Sequence, residues 1–277
     1  METSELIRRR LLRGTRPVAP PGASRVSPRR GEGYEFAELR AYVAGDDPRR
    51  IDWAATARAG ALQSRVMLDE QGLVLAAIVD DSPSMQLGRR RASLEVALET
   101  LPFWYRAAQG GDRCLRLAGG YHLETRRIDA RSLAHLTARG DPPTPDPLEA
   151  LRYAEQLLPR GSALMVVTDA LGLLDADPLP VDIEHLLYRI GQRCDAALLL
   201  ARDPWHGEMP LRGMVRLRDS ELGTRRRFFF GRRERERYRA AVLAREHRVI
   251  AHAERAGWRV GLLEDAAEAA LRSLFAR

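Results

Sequence analysis

The sequence predicts an α/β fold: a mainly parallel sheet with helices on both faces, preceded by an irregular or β-rich N-terminal extension. Two observations carry this. Unbroken apolar runs recur at residues 73–79, 162–168 and 196–201. Each is too continuous for a half-exposed strand and too short for a membrane span. Segments with apolar residues at helical spacing separate them, so strand and helix alternate as in parallel strands joined by crossover helices. The expected organisation is an extension over residues 1–70 and an α/β domain over 71–277.

The elements follow in order. Residues 1–13 are Arg-rich and amphipathic, without the apolar centre of a signal peptide. Residues 14–32, rich in Pro, Gly and Arg, predict irregular or extended chain. Residues 34–71 are weakly periodic, with a turn at Gly45-Asp46-Asp47-Pro48 and a strand at 62–68. After the strand at 73–79, Leu94, Ala97, Leu98, Leu101 and Tyr105 mark a helix over 91–109, stopped by Gly110-Gly111. Gly119-Gly120 turns a hairpin between 112–118 and 121–128. Short helices follow at 130–138 and 146–158. Strand 162–168 runs into Asp169. Then come helix 182–191, strand 196–201 and a further strand at 214–218. Glu and Arg three to four residues apart support a solvated helix over 232–256. Strand 258–263 and helix 266–275 come last.

Composition narrows the class. The chain has 277 residues and 45% apolar content, enough for one sizeable core. All 45 basic residues are arginine, and the net charge is +7. That charge admits an anionic partner. A GC-rich genome that writes Arg wherever a cation is tolerated explains the composition as well, and the sequence favours this over a nucleic-acid surface. Cys114 and Cys194, isolated in apolar strand-like segments, make neither a disulfide framework nor a zinc site. No apolar run reaches the length of about eighteen residues that a bilayer span needs. A cytoplasmic protein without membrane insertion is the expectation.

The chemistry concentrates after the strand at 73–79, in Asp80-Asp81-Ser82-Pro83-Ser84. In extended chain, positions i, i+2 and i+4 face one way, so Asp80, Ser82 and Ser84 converge. Three oxygens of low total charge suit a hard divalent cation, Mg²⁺ before Ca²⁺. The C-terminal ends of strands in open α/β sheets are where ligands bind. Asp169, after a second buried strand, faces the same crevice, and Thr144 in the loop Asp141-Pro142-Pro143-Thr144-Pro145-Asp146 offers another hydroxyl. The competing reading makes Asp-x-Ser-x-Ser a turn whose side chains cap a helix.

Asp80-x-Ser82-x-Ser84, a Thr before a helix and Asp169 after a later strand resemble the metal-ion-dependent adhesion site (MIDAS) of the von Willebrand factor A fold. The resemblance implies that Ser82, Ser84 and Thr144 touch the metal directly, with Asp80 and Asp169 acting mainly through water. The N-terminal segment narrows the match. Glu35 lies within Gly31-Glu32-Gly33-Tyr34-Glu35-Phe36, followed by Leu39-Arg40-x-Tyr42, then Gly45-Asp46-Asp47-Pro48-Arg49-Arg50-Ile51-Asp52-Trp53 and Ala57-Arg58. This is similar to the signature of the "domain of unknown function 58" family, over about residues 24 to 275. Members are often encoded beside MoxR-type AAA+ ATPases. The chain departs from the pattern where Thr144 lies between two prolines in place of a usual glycine neighbour. It resembles the short form without N-terminal membrane helices.

The motif around Gly45–Trp53 admits two readings. In one, Asp46, Asp47 and Asp52 pair with Arg40, Arg49, Arg50 and Arg58 in a structural charge network; in the other, the same residues form a docking surface. The sequence favours the first, because surface charge runs alone are weak evidence of binding. Arg225-Arg226-Arg227 before Phe228-Phe229-Phe230 resembles a nucleic-acid patch with stacking rings. The sequence favours an edge whose aromatics enter the core while the arginines stay wet.

The function expected is a metal-dependent protein-interaction module and not an enzyme, since no histidine neighbours these loops to serve as a base. The resemblance implies an adaptor of a MoxR-type AAA+ ATPase that also binds an acidic protein ligand contributing a carboxylate, with Mg²⁺ or another divalent cation as cofactor. The alternatives are a Mg²⁺-dependent phosphoryl hydrolase, with an aspartyl nucleophile at the strand end, and Arg-mediated nucleic-acid binding.

Overall fold

The computed structural model describes residues 2–14, 30–43, 48–68, 72–88, 90–126, 129–138, 146–170, 173–202, 209–218 and 224–276, with residues 13–14, 30–38, 50 and 66–68 described through their backbone alone. It divides into two compact units, one of Arg16–Gly72 and one of Met1–Thr15 with Leu73–Arg277. Among the described residues, no helix is long and apolar enough to cross a membrane.

The larger unit is built on a six-stranded sheet. Its strands in chain order are β3 (Val74–Val79), β4 (Arg113–Leu117), β5 (His122–Thr125), β6 (Ala163–Thr168), β7 (Asp195–Ala201) and β10 (Arg259–Leu263). They lie in the order β10-β7-β6-β3-β4-β5. All neighbours are parallel except β5, which pairs antiparallel with β4 along the edge. Counting only these six, the order is 3-2-1-4-5-6, that of doubly wound folds. The fold is the expected α/β architecture, a mainly parallel sheet with helices on both faces.

Both faces of this sheet are covered, which is why its central strands are apolar throughout. Along β3, Leu75, Ala77 and Val79 enter one core while Val74, Ala76 and Ile78 enter the other. The first core is closed by α1 (Thr3–Gly14), α3 (Ser93–Tyr105) and α8 (Ala267–Ala276) through Ile7, Leu11, Leu101, Trp104 and Leu271. The second is closed by α5 (Pro147–Leu157), α6 (Val181–Arg193) and the C-terminal turns of α7 (Arg232–Arg255), through Leu151, Ile183, Leu187 and Val249. A short helix α4 (Ala130–Thr137) adds Leu136 to the first core. Each fully buried aliphatic side chain contributes about 1.5–3 kcal/mol by leaving water.

Helix α1 was expected within the extension of residues 1–70; it groups instead with the larger unit. Ile7 and Leu11, one turn apart, are fully buried. Asp112, itself buried, anchors the helix from the turn before β4. Its carboxylate accepts from Arg8 at 2.6 Å, from the Leu73 backbone N–H at 2.7 Å and from the Gln109 N–H at 2.8 Å.

The smaller unit pairs β1 (Arg30–Ala41) antiparallel with β2 (Gln63–Leu68), with a 3-10 turn (Pro48–Arg50) and α2 (Trp53–Ala59) between them. The sequence reading found β2 but neither β1 nor α2. Glycine and charge obscure the alternation of β1, and seven Ala-rich residues are too few to show a helical period. What defines α2 is its caps. The Asp52 carboxylate accepts from Ala55 N–H at 2.9 Å, and Gly60 closes the helix at φ +68°.

One more sheet, β8 (Gly213–Arg218) with β9 (Arg225–Phe230), stands apart from the six strands. Here an expectation fails. The Phe228 and Phe229 rings do not enter the core; they are 43% and 60% exposed. A two-stranded ribbon has too little apolar surface behind it to bury three consecutive rings.

Replacing Asp112 by Ala strips three donors of this acceptor and leaves the Arg8 guanidinium without its counter-charge, bonded to the Ala107 carbonyl at 3.0 Å. The expected loss is about 2–4 kcal/mol in urea unfolding. A loss within the noise of a surface substitution would show that α1 is not held by this carboxylate.

Candidate functional site

Strands β3 and β6 are adjacent and parallel, with Val79 in register with Val167. From β3 the chain winds through α3 to β4 on one side; from β6 it winds through α6 to β7 on the other. The winding reverses between them, which is where open α/β sheets form a ligand crevice outside their C-terminal strand ends. Asp80 follows Val79 and lies opposite Thr168, with the Asp80 N–H donating to the Val167 carbonyl at 2.9 Å.

Asp80 is 2% exposed. A carboxylate taken this far out of water has to be satisfied. Its Oδ1 accepts from the Ser82 N–H at 2.9 Å, and its Oδ2 accepts from the Thr168 hydroxyl at 2.6 Å. Pro83 starts a 3-10 turn (Pro83–Gln86) directly after Ser82, which curls the loop back on itself. Ser82 and Ser84 are buried, and their hydroxyls lie 3.1 Å apart. Ser82 occupies the cap position of that turn yet makes no side-chain cap bond. The capping reading therefore does not account for its hydroxyl.

Burial pushes the Asp80 carboxyl above its ordinary range; Thr168 and Ser82 pull it back down, and the charge of Asp169 adds to the rise. Asp169 is half-buried, and its backbone carbonyl accepts from Arg245 of α7. After it the chain bends sharply, because the buried Ala170 sits at φ +59°. For a residue with a Cβ, this left-handed conformation costs about 1–2 kcal/mol. The Ala170 N–H donates to the Thr168 hydroxyl at 2.9 Å, linking the bend back to Asp80.

Of the five expected metal-site residues, the structure brings Asp80, Ser82, Ser84 and Asp169 to one crevice. Thr144 lies outside the described residues, and Asp146 at the far end of its loop caps α5 by accepting from Leu148 N–H at 2.9 Å. Sequence reasoning missed Thr168, Ala170 and Arg245. Thr168 was legible as the last residue of a buried strand, one place before Asp169. Arg245 was not, because it comes from a helix 76 residues further on. Among the described residues no three His, Cys, Asp or Glu side chains converge as a metal cluster; the described donors in this crevice are two serines and two aspartates.

The family-motif residues belong to the smaller unit. Gly45, Asp46 and Asp47 lie outside the described residues, and Glu35 and Arg50 are described through their backbone alone. The expected network of Asp46, Asp47 and Asp52 with Arg40, Arg49, Arg50 and Arg58 falls largely outside the described side chains. The Asp52 carboxylate pairs with Arg65 of β2, at 2.8 Å, while its other oxygen caps α2. Arg40 donates to the Ala41 carbonyl and Arg58 to the Ala54 carbonyl. The Asp52 N–H donates to the Gln63 carbonyl at 2.8 Å, so the residue ties helix, turn and strand together. Trp53, at the start of α2, is 69% exposed.

The profile of the family described as "Protein of unknown function DUF58" matches residues 38–249. The uncharacterized proteins Mb1516 of Mycobacterium bovis and Rv1480 of Mycobacterium tuberculosis are each 30% identical over 215 residues. The alignment takes in 72% of this chain but only 64% of each relative's length. Among solved structures, the conserved hypothetical protein BatB from Bacteroides thetaiotaomicron aligns with 74% of this chain and 96% of its own, at 12% identity and a TM-score of 0.41. The fold assignment made above stands on strand order, independently of that alignment.

Asp80 also sets a pH dependence. A folded-state carboxyl raised above its unfolded value contributes stability that is complete at acid pH and lost as pH rises through the folded value. With chelator present, Asp80→Asn should gain on the wild type as pH climbs from below the aspartate range to neutrality. Parallel pH–stability curves for the two proteins would remove Asp80 as the source.

Proposed function

We propose that this chain, which belongs to the DUF58 family of proteins of unknown function, is a metal-dependent protein-interaction module and not an enzyme. One observation carries the reading: the paired hydroxyls of Ser82 and Ser84, 3.1 Å apart beside the buried Asp80. Adjacent oxygens around an octahedral Mg²⁺, each at about 2.0–2.1 Å, lie about 2.8–3.0 Å from one another. The serine pair needs almost no adjustment to form one edge of such a shell. Asp80 and Asp169 supply the negative charge behind it and, by family resemblance, act mainly through bound water. Thr144 is the third hydroxyl by family resemblance.

The chain's own residues hold this arrangement ready. Thr168 and the Ser82 N–H fix the rotation of the Asp80 carboxylate, and Arg245 holds the Asp169 carbonyl. A cation held by neutral hydroxyls keeps much of its charge and supplies an attraction for a partner's carboxylate. The partner class is therefore an acidic protein segment. Family resemblance adds a MoxR-type AAA+ ATPase as the machine that this adaptor serves, with a cytoplasmic working location.

The first test is thermal unfolding with and without Mg²⁺. At about a hundred times its dissociation constant, the ion should add about 2.7 kcal/mol. EDTA should remove the gain and Ser82→Ala should not show it. The second test is capture of the acidic partner: dependence on Mg²⁺ and on Ser82 supports the module. Capture indifferent to both, or Mg²⁺-dependent turnover of phosphoesters, would defeat it.

A further inference from the structure

The positive charge of this protein is not spread over its surface. Residues 212–239 hold eleven of the 45 arginines and four of the 38 acids, a local balance of +7. The remaining 34 arginines face 34 acids, so this segment carries the whole net charge of the chain. A genome's preference for Arg over Lys explains which cation is used, but not why the surplus is gathered in one place.

The segment is the β8–β9 ribbon and the first turns of α7. Its register places Met214 opposite Phe229, Arg216 opposite Arg227 and Arg218 opposite Arg225, all on one face. All six are exposed, Met214 by 69% and Phe229 by 60%. On the other face, Val215, Leu217 and Phe230 are half-buried. Like charges directly across a strand pair are destabilising. The outer face stacks two such pairs, and no hydrogen bond or ion pair to another described residue is recorded for these four guanidiniums. The ribbon continues into α7, where Arg233 and Arg237 are exposed one turn apart. An arrangement that costs stability in isolation is repaid by a ligand that brings negative charge.

We infer that this outer face binds single-stranded nucleic acid. Guanidiniums match phosphate oxygens through paired donors. The exposed Phe229 ring beside them provides a platform on which a base stacks, a combination typical of sequence-tolerant single-strand binding. An acidic peptide would satisfy the arginines but leave Met214 and Phe229 without a counterpart. A bilayer is disfavoured by the order of residues, since the apolar pair lies at the base of the ribbon and the arginines lie towards its turn. The inference is independent of the metal reading, because the ribbon shares no residue with the crevice.

The test is fluorescence anisotropy of a labelled oligothymidylate with the full chain, in EDTA and over a salt series. The logarithm of affinity should fall linearly with the logarithm of salt, by about 0.7 per phosphate contact and so about 3 for four arginines. Arg216→Ala with Arg227→Ala should reduce that slope by about 1.4. Phe229→Ala should weaken binding roughly tenfold at unchanged slope. Circular dichroism checks that these surface variants stay folded, and Ser82→Ala should bind like the wild type. Three results would each overturn the inference. One is no binding at low salt. Another is variants indistinguishable from the wild type. The third is preferential capture by anionic phospholipid vesicles or polyglutamate, with Phe229→Ala silent.

Discussion

Two buried strands, β3 and β6, run parallel and side by side where the sheet reverses its winding, and the candidate site depends on that adjacency. Their register places the first polar residue of one loop opposite the last residue of the other strand. Asp80 meets Thr168 because Val79 meets Val167. A slip of one residue would turn the alternating core positions of β3 to the wrong faces, so the two cores enforce the register. The apolar packing therefore specifies the polar geometry, although none of its side chains takes part in the chemistry.

The crevice holds features that stability alone does not favour. An acidic side chain is almost completely withdrawn from water, a second lies close enough to raise its pKa, and an alanine adopts a left-handed backbone conformation between them and α7. Hydrogen bonds from Thr168 and Ser82 offset part of the cost without removing it. Such departures are tolerated when the surrounding structure over-determines them, and they collect at sites that work.

A second departure lies in the β8–β9 ribbon, where the arginine surplus is stacked on one exposed face. The two features differ in kind. The first is recessed and acidic, set on deeply buried strands. The ribbon is exposed and cationic. The two proposed sites thus lie on different parts of one chain, a cation with its carboxylate ligand being proposed for the first and phosphates for the second.

The sequence by itself determined the strands that bury both faces and the helices of the larger unit, because continuous apolar runs and helical spacing are local signals. It also placed Asp80, Ser82, Ser84 and Asp169 at strand ends. Short or weakly patterned elements escaped it: β1, whose alternation is broken by glycine and charge, and α2, defined by caps and not by period. Only the tertiary structure decided what these residues meet. Asp52 takes Arg65 because β2 folds back beside it, α1 joins the core through Ile7 and Leu11, and Arg245 arrives at Asp169 from a distant helix. It also decided that Phe228 and Phe229 stay outside, since burial depends on what lies behind a strand. Periodicity records which side of an element is apolar; which neighbour covers that side is settled by contacts between segments far apart in the chain.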